Sequence, residues 1–249
     1  MINLYEIAAY ITVGSVRSKN DDRISVCGRI IEEGSLHVES DCVLASVVDG
    51  VGGEAYGNEA AQLSAEVISM VYLNQFNAEI SSAERIISMA NGAVMTLRKT
   101  DVEHSQASAA ISGVMIKDGK VICFNWGDSK VFLYRNNHIL PKSKDHTLLQ
   151  QMLDLGIPCP KLSRKTPLTG YLGCLPQKSD SPYYCSDIME KNDIWLICSD
   201  GLSDYVSLND METVLKEEAT LEKKCAFLVE GALKNHSDDN ISLIIVKGE

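Results

Sequence analysis

The 249-residue sequence lacks any segment that would carry it into a membrane. No apolar run reaches the roughly 18 residues that a spanning helix needs. The amino terminus, MINLYEIAAY, has no basic stretch before an apolar core, so it does not have the pattern of a secretory signal. We therefore expect a cytoplasmic protein that does not use a membrane as a partner.

Paired cysteines and clustered histidines are also missing. The eight cysteines include no CxxC pair, and the five histidines show no HExxH spacing. The sequence therefore gives no indication of a thiolate or imidazole metal site. Most cysteines lie inside apolar runs such as VICFNW, which is typical of reduced core residues.

Positive charge is scarce. The chain has 23 Lys and Arg against 34 Asp and Glu, a formal net charge of -11. This balance argues against a nucleic acid or an anionic membrane as a general partner, because neither polyanion would be attracted. Acidic substrates stay open, since a local cation can override the global field.

No Pro/Gly/Ser-rich linker, repeat or low-complexity tract divides the chain. About 45% of the residues are apolar, which suffices for one large core. We therefore expect a single domain over residues 1–249 and a monomer.

Hydrophobic periodicity predicts blocks of strands and separate blocks of helices. The predicted strands are 5–13, 24–30, 35–39, 42–48, 107–117, 121–126, 130–135, 194–198 and 241–246. The predicted helices are 57–75, 80–99, 146–155, 207–217 and 220–234, and residues 157–190 are predicted to be irregular. Separate blocks favour an α+β layered sandwich over a βαβ repeat.

Aspartates stand at the ends of the apolar runs. They are Asp21 and Asp22 before RISV, Asp49 after LASVV, Asp128 after VICFNWG, Asp200 after IWLICS and Asp239 before ISLIIV. One such aspartate is usually a turn former. If the strands are neighbours, however, their ends converge, and carboxylates packed together repel unless a cation neutralises them. Ligands that are all oxygen atoms favour Mg2+ or Mn2+.

The stretch from Asp49 to Gly57 is rich in glycine and lies between a predicted strand and a predicted helix. Its spacing is not GxGxxG and no GK[ST] follows, so a dinucleotide loop and a P-loop both fit poorly. Glycine beside Asp49 would let a backbone carbonyl approach a metal closely.

Six motifs in order resemble those of the PPM family, the type 2C metal-dependent serine/threonine protein phosphatases, in its bacterial form. They are residues 17–22 (RSKNDD), 47–53 (VVDGVGG), 126–130 (WGDSK), 168–173 (LTGYLG), 198–204 (CSDGLSD) and 239–242 (DNIS). Each motif is weak alone, but the resemblance runs from Gly14 to Val246 and keeps the family order.

The resemblance implies a four-layer α-β-β-α sandwich with two central antiparallel sheets flanked by helices. It implies two Mn2+ or Mg2+ ions bridged by Asp49. Asp200 and Asp239 would complete the shell of one ion, and Asp21 with the carbonyl of Gly50 would serve the other.

Further roles follow from the same resemblance. Asp22 would support the metal ligands from behind, and Arg17 would grip the substrate phosphate. Asp128, together with Asp200, matches positions that hold a third ion in bacterial relatives. The region 147–167 corresponds to the variable flap beside the site.

The implied activity is hydrolysis of phosphoserine and phosphothreonine on proteins. A water or hydroxide that bridges the metals would attack phosphorus directly, without a phosphoenzyme. Phosphoproteins would be the partners, together with a cognate serine/threonine kinase. Two alternatives remain open: an inactive pseudophosphatase that binds phosphoproteins, and a phosphatase of anti-anti-sigma-type regulators, which normally carries added sensor domains.

Three positions depart from the family pattern. Val51 stands where many members have a histidine that is a candidate general acid. Residues 108–110 read Ser-Ala-Ala where hydroxyl side chains are common, and Lys130 replaces the usual arginine, which we expect to be a structural change.

Several other residues have an ordinary structural interpretation. Arg17 could be a solvated surface charge. We expect Asp204 to be a helix cap or turn residue, His146 to cap or pack, and Trp126 to lie in the core.

Overall fold

The computed structural model describes residues 4–51, 56–158 and 166–248. Within these ranges the chain forms two six-stranded sheets, and every strand pair is antiparallel. In the described part of the chain, no helix combines the length and the apolarity needed to cross a bilayer.

The first sheet has the strand order β4-β1-β12-β11-β8-β9. Its strands are β1 (Tyr5–Thr12), β4 (Gly34–Ser40), β8 (Lys130–Arg135), β9 (His138–Pro141), β11 (Ile194–Cys198) and β12 (Ile241–Gly248). Both termini of the described chain therefore lie in the centre of this sheet, where β1 pairs with β12 from Tyr5 opposite Gly248 to Thr12 opposite Ile241.

The second sheet has the strand order β10-β7-β6-β5-β2-β3. Its strands are β2 (Arg23–Val26), β3 (Arg29–Ile31), β5 (Cys42–Gly50), β6 (Ala109–Lys117), β7 (Lys120–Trp126) and β10 (Tyr183–Ile188). The meander β5-β6-β7 forms its centre, and Asp118 and Gly119 make the β6–β7 turn with φ of 52° and 74°.

Helices lie outside the two sheets or in the segments that connect their strands. They are α1 (Gly57–Leu73), α2 (Ile80–Leu97), α3 (Leu148–Asp154), α4 (Asp200–Ser203), α5 (Leu208–Lys216) and α6 (Leu221–Lys234), with short 3-10 turns at Glu103–Gln106 and Pro176–Lys178. Helices α1 and α2 pack on the second sheet, and α4 and α6 pack on the first. The predicted α+β sandwich with four α-β-β-α layers is confirmed.

The alternation of side chains along the strands divides the core into three apolar layers. On β5, Val43, Ala45 and Val47 face the other sheet, whereas Leu44 and Val48 face α1 and α2. Strand β12 follows the same rule, with one set of side chains between the sheets and the other under α6. Because both faces of the central strands are buried, those strands read as continuous apolar runs.

Three details of the predicted strand pattern were wrong. Residues 24–30 are two strands, because Cys27 and Gly28 adopt positive φ values of 48° and 79° and turn the chain. Strand β9 was not predicted, and β10 lies inside the segment predicted to be irregular. Both β9 and β10 are edge strands with partly exposed residues, so neither carries a strong apolar pattern.

The two sheets are hydrogen-bonded to each other at the end where the aspartates lie. Asn240, just before β12, accepts a bond from the Asp21 N–H at 2.9 Å. The same side chain donates to the carbonyls of Val13 at 3.0 Å and Lys19 at 3.1 Å. Since Asn240 is only 3% exposed, these bonds fix the segment that carries Asp21 and Asp22 against the start of β12.

We predict that Asn240→Ala lowers the free energy of unfolding by about 2–4 kcal/mol, because buried backbone groups lose their partners. For a chain of this size the melting temperature should fall by roughly 5–15 °C, which thermal denaturation followed by circular dichroism would measure. The matched control is Asn209→Ala, since Asn209 is exposed on α5. Equal melting temperatures for both variants would contradict the bridging role of Asn240.

Candidate metal centre

A cleft of about 320 Å³ opens at this end of the sandwich. The aspartates that line it are Asp49, Asp128, Asp145, Asp200, Asp204 and Asp239. Asp49 is the penultimate residue of β5, Asp128 follows β7, Asp200 begins α4 after β11, and Asp239 precedes β12. The structure thus brings four aspartates predicted at separate strand ends into one cavity.

Asp49 lies at the centre of this negative charge. Burial and the charges of Asp22 and Asp200 raise its pKa well above the ordinary value. Asp22 lies behind it, only 2% exposed, and accepts a hydrogen bond from Ser242 Oγ at 2.6 Å. Burial, with a contribution from the charge of Asp239, raises the pKa of Asp22 to about 7. Neither carboxylate is easily ionised here without a neutralising cation.

A second group of charges surrounds Asp128. Burial raises the pKa of Asp128 to about 6, with the charges of Asp145 and Asp204 adding to the effect and that of Lys130 opposing it. Burial and the charge of Asp128 raise the pKa of Asp200 well above its ordinary value, and Asp204 contributes in the same direction.

Asp204 lines the cleft, whereas the sequence interpretation gave it only the role of a helix cap or turn residue. It does cap the end of α4, where its N–H bonds the carbonyl of Asp200 at 2.9 Å, but its side chain also lines the cavity. The signal that could have found it is the spacing of four from Asp200, which places both side chains on one face of a helical turn.

The backbone segments at Asp21, Gly50 and Gly57 approach one another closely. The N–H of Gly50 donates to the Asp21 carbonyl at 3.2 Å. A Cβ atom on Gly50 would lie 2.5 Å from the backbone of Gly57, so only glycine fits between these segments. The buried Oδ1 of Asp21 has Lys19 Nζ as an ionic neighbour at 3.0 Å, but no well-aligned hydrogen-bond donor among the described residues.

Arg17 stands at the rim of the cleft. Its Nη2 donates to Asp239 Oδ2 at 2.8 Å, and this bond is the main cause of its raised pKa. The side chain is 33% exposed. Arg17 is therefore held over the acidic cluster, and the solvated-surface interpretation does not describe it.

Two side chains near the cleft, His146 and Trp126, have a structural role. His146 is buried; its Nδ1 lies 3.2 Å from the Gly127 nitrogen and its Nε2 lies 2.8 Å from the Ser181 carbonyl oxygen. Trp126 is 2% exposed and donates to the Asp180 carbonyl at 2.7 Å. Both contacts hold the backbone on either side of Asp128 in place.

The departures from the family pattern also lie at the cleft. Val51 and Ala110 line it and bring no hydroxyl or imidazole, while the Ser108 hydroxyl bonds the Gln106 carbonyl at 3.1 Å. Lys130 Nζ lies 2.6 Å from both carboxylate oxygens of Asp145 and 3.2 Å from the Asp128 carbonyl, as a structural residue would. Of the predicted flap, residues 159–165 lie outside the described residues.

The donor set of the cleft fits a hard divalent cation. Its candidate ligands are carboxylate and carbonyl oxygens. Burial, together with mutual repulsion, raises the pKa values of Asp49 and Asp200. One buried oxygen of Asp21 has no well-aligned hydrogen-bond donor among the described residues. The trio of described side chains that offers ligand atoms within 4.8 Å of one another lies elsewhere, at Glu6, His37 and Glu222. There each His37 nitrogen faces a carboxylate, at 3.4 and 3.5 Å, as in an exposed ion pair.

Comparison with known proteins identifies the family. The model of the family described as protein phosphatase 2C matches residues 20–153, which is more than half of the chain. The chain belongs to the protein phosphatase 2C family. The resemblance drawn from the six motifs is thereby confirmed.

Relatives of similar length carry the same assignment. A serine/threonine phosphatase, stp, of Listeria monocytogenes is 24% identical over 94% of this chain and 92% of its own length. The solved serine/threonine phosphatase of S. agalactiae covers 98% of this chain and 100% of its own, with a TM-score of 0.84 and 24% identity.

The catalytic domain of the phosphatase PstP was solved in complex with two manganese ions. It has a TM-score of 0.80 and 22% identity, over 98% of this chain and 99% of its own. At this level of identity the likeness shows the shared fold.

We predict that the metal-free phosphatase loses stability as the pH rises from about 5 to about 7.5. The folded-state pKa values of Asp22, about 7, and Asp128, about 6, lie above the ordinary value. The folded state therefore binds more protons than the unfolded state, and the stabilisation present at low pH is lost as the pH passes through these values. Melting temperatures in EDTA across this range would measure the effect.

Two comparisons make this test specific. Asp49→Asn, which removes one charge from the cluster, should flatten the pH dependence and raise the metal-free melting temperature. Saturating Mn2+ should reverse the slope, because cations compete with protons for the carboxylates. A metal-free melting temperature that rises with pH would show that the carboxylates do not repel as described.

Proposed function

We propose that the chain removes phosphate from phosphoserine and phosphothreonine in proteins. The observation that carries this proposal is the convergence of Arg17 with Asp49, Asp200 and Asp239 in one cleft. Four charged groups from distant parts of the sequence meet there, although carboxylates repel one another. A structural role would not require them to share one cavity.

We assign the ligand groups as the family resemblance implies. Asp49 would bridge two Mn2+ or Mg2+ ions, Asp200 and Asp239 would complete one, and Asp21 with the Gly50 carbonyl would complete the other. When bound, such cations lower the pKa of a water, so that a hydroxide can form and attack phosphorus. The cations also balance the charge of the phosphoryl oxygens. No nucleophilic side chain is needed, so a phosphoenzyme is not part of the reaction.

Arg17 would bind the phosphate. Its guanidinium is long enough to serve two partners, and the bond from Nη2 to Asp239 orients it across the cleft. A guanidinium can then donate two parallel bonds to phosphoryl oxygens, a geometry that a lysine cannot reproduce. The same bond couples phosphate recognition to Asp239.

Asp22 would act by positioning Asp49. It accepts a hydrogen bond from Ser242, and the charge of Asp22 contributes to the raised pKa of Asp49. Val51 offers no proton for the leaving oxygen. We therefore propose that Asp128 and Asp200 would hold a third cation, whose charge would lower the pKa of a nearby water.

The pseudophosphatase alternative has less support. A protein that only binds phosphoproteins has no need to keep a full set of metal ligands, and the predicted ligands are all present. We further propose that the protein is a cytoplasmic monomer. We also propose that it acts on the products of a cognate serine/threonine kinase, because phosphoprotein substrates require such an enzyme.

We predict that hydrolysis of p-nitrophenyl phosphate depends on Mn2+ or Mg2+ and stops in EDTA, because the cleft has no other means of activating water. Asp49→Ala and Asp239→Ala should abolish turnover. Asp41→Ala is the matched control, since Asp41 is an exposed residue before β5. Full turnover by metal-stripped protein would overturn the metal-dependent mechanism. An inactive protein that still binds Mn2+ and phosphoproteins would favour the pseudophosphatase.

Arg17→Ala should lower kcat/KM on a phosphopeptide by roughly one to two decades, or about 1.5–3 kcal/mol, through loss of a charged two-point contact. Arg17→Lys keeps the charge and should recover only part of the loss. Calorimetric titration with Mn2+ should show that both variants still bind metal. Unchanged kinetics for Arg17→Ala would remove this residue from the site.

Asp128→Ala should lower kcat by about 10–1000-fold, a loss of about 1.4–4 kcal/mol, because a third cation would no longer be held. Calorimetry with Mn2+ should retain the tight sites and lose a weak one, while circular dichroism shows an intact fold. Loss of the tight sites would instead make Asp128 a ligand of the central pair. Normal kcat with an intact fold would leave it as a turn residue.

A further inference from the structure

Two cysteines face each other across the edge of the second sheet. Cys123 on β7 is the register partner of Cys185 on β10, in an antiparallel pair. Directly opposed residues of such a pair project to the same face, with Cα atoms about 4.5 to 5.5 Å apart. Disulfides span Cα separations of roughly 4.4 to 6.8 Å, so these two thiols can be joined without moving the backbone far.

The two thiols differ in their surroundings. Cys123 is 1% exposed and belongs to the apolar layer between the sheets, and burial raises its pKa well above the ordinary value. Cys185 is partly exposed, and its Sγ lies 3.3 Å from the Lys142 carbonyl. A hydrogen bond from the Cys123 thiol, aided by the charge of Lys142, lowers the pKa of Cys185. Cys185 is thus the thiol that forms a nucleophilic thiolate more readily.

No other described cysteine combines these features. Cys27 and Cys42 are near each other, with Cys27 Sγ 3.7 Å from the Cys42 carbonyl, but they are not register partners, and burial raises the pKa of both. The described cysteines 174, 198 and 225 are buried. Cys159 lies outside the described residues.

We propose that Cys185 and Cys123 form a peroxide-reactive dithiol that closes to a cross-strand disulfide, a modification site separate from the metal centre. The Cys185 thiolate attacks one oxygen of a peroxide, the O–O bond breaks, and a sulfenic acid and hydroxide form. The Cys123 sulfur then attacks Sγ of Cys185, an S–S bond forms, and the S–O bond breaks. The departing hydroxide takes the Cys123 proton, so one hydrogen peroxide becomes two waters while two thiols become one disulfide.

The link would fasten an edge strand that borders the active end of the molecule. Among the described strands β10 pairs only with β7. Just before β10, the carbonyls of Asp180 and Ser181 hold Trp126 and His146, which position the backbone around Asp128. A disulfide between β7 and β10 would therefore resist detachment of this support, and a dithiol reductant would reverse the effect.

The test treats purified full-length chain with one equivalent of hydrogen peroxide, blocks free thiols by alkylation, and maps the peptides by mass spectrometry. We expect a linked peptide pair containing residues 123 and 185. The melting temperature should rise by about 3–10 °C and return in dithiothreitol, as expected when a cross-link restricts the unfolded chain.

Variants assign the roles of the two thiols. Cys185→Ser should abolish the link and the rise in melting temperature, and leave the buried Cys123 reduced. Cys123→Ser, or Cys123→Ala if the serine is poorly tolerated in the core, should let dimedone trap a sulfenic acid at Cys185. Cys42→Ser is the matched control and should oxidise like the wild type. The proposal is overturned if Cys27 and Cys42 are the linked pair, or if Cys185 survives peroxide unmodified.

Discussion

Repulsion among carboxylates is the constraint on which the rest of this structure depends. Burial and neighbouring negative charge raise the pKa values of Asp22, Asp49, Asp128 and Asp200 together. Such a cluster destabilises the folded chain unless protons or cations balance it. The surrounding apolar layers and the inter-sheet hydrogen bonds must therefore be strong enough to hold the aspartates together.

Close backbone contacts, which leave no room for side chains, hold the segments that carry the aspartates together. Gly50 is wedged between the Asp21 carbonyl and Gly57, and a Cβ on Gly201 would overlap the Asn240 carbonyl. Gly127, immediately before Asp128, adopts a φ of 128°, and this backbone conformation favours glycine. These close approaches let strand ends from both sheets reach one cavity, so the glycines beside the aspartates are part of the site's geometry.

Polar side chains beside Asp128 are hydrogen-bonded within the protein. His146 and Trp126 use their ring nitrogens to hold the loops beside Asp128, and Lys130 is fully engaged by Asp145. Because their hydrogen bonds are satisfied within the protein, these groups fix the position of the backbone around Asp128. His146 stands in the sequence between two residues that line the cleft. Because both of its ring nitrogens already have hydrogen-bond partners, we do not expect it to protonate the leaving group.

Most of the fold could be predicted from the sequence, because the central strands are buried on both faces and read as apolar runs. The edge strands β9 and β10 could not, since an edge strand pairs on one side only and keeps polar residues. The principal aspartates could be predicted for a related reason. A carboxylate next to a buried apolar strand is expected at the end of that strand, and therefore at the edge of the core. The register of Cys123 with Cys185, however, follows from the pairing of segments 62 residues apart, which local periodicity does not encode.

The sequence by itself determined which side chains are available to the site: candidate ligands that are all oxygen atoms, a family order of motifs, and a valine instead of a histidine at position 51. Only the tertiary structure decided how these groups act on one another. It placed Asp204 in the cleft, bonded Arg17 to Asp239, and made His146 a support, because each outcome depends on distances between segments that are far apart in the chain. Burial raises the pKa values of these aspartates, and repulsion between their charges adds to the shift. Since charge interactions fall off with separation, that second contribution arises only when the strand ends meet.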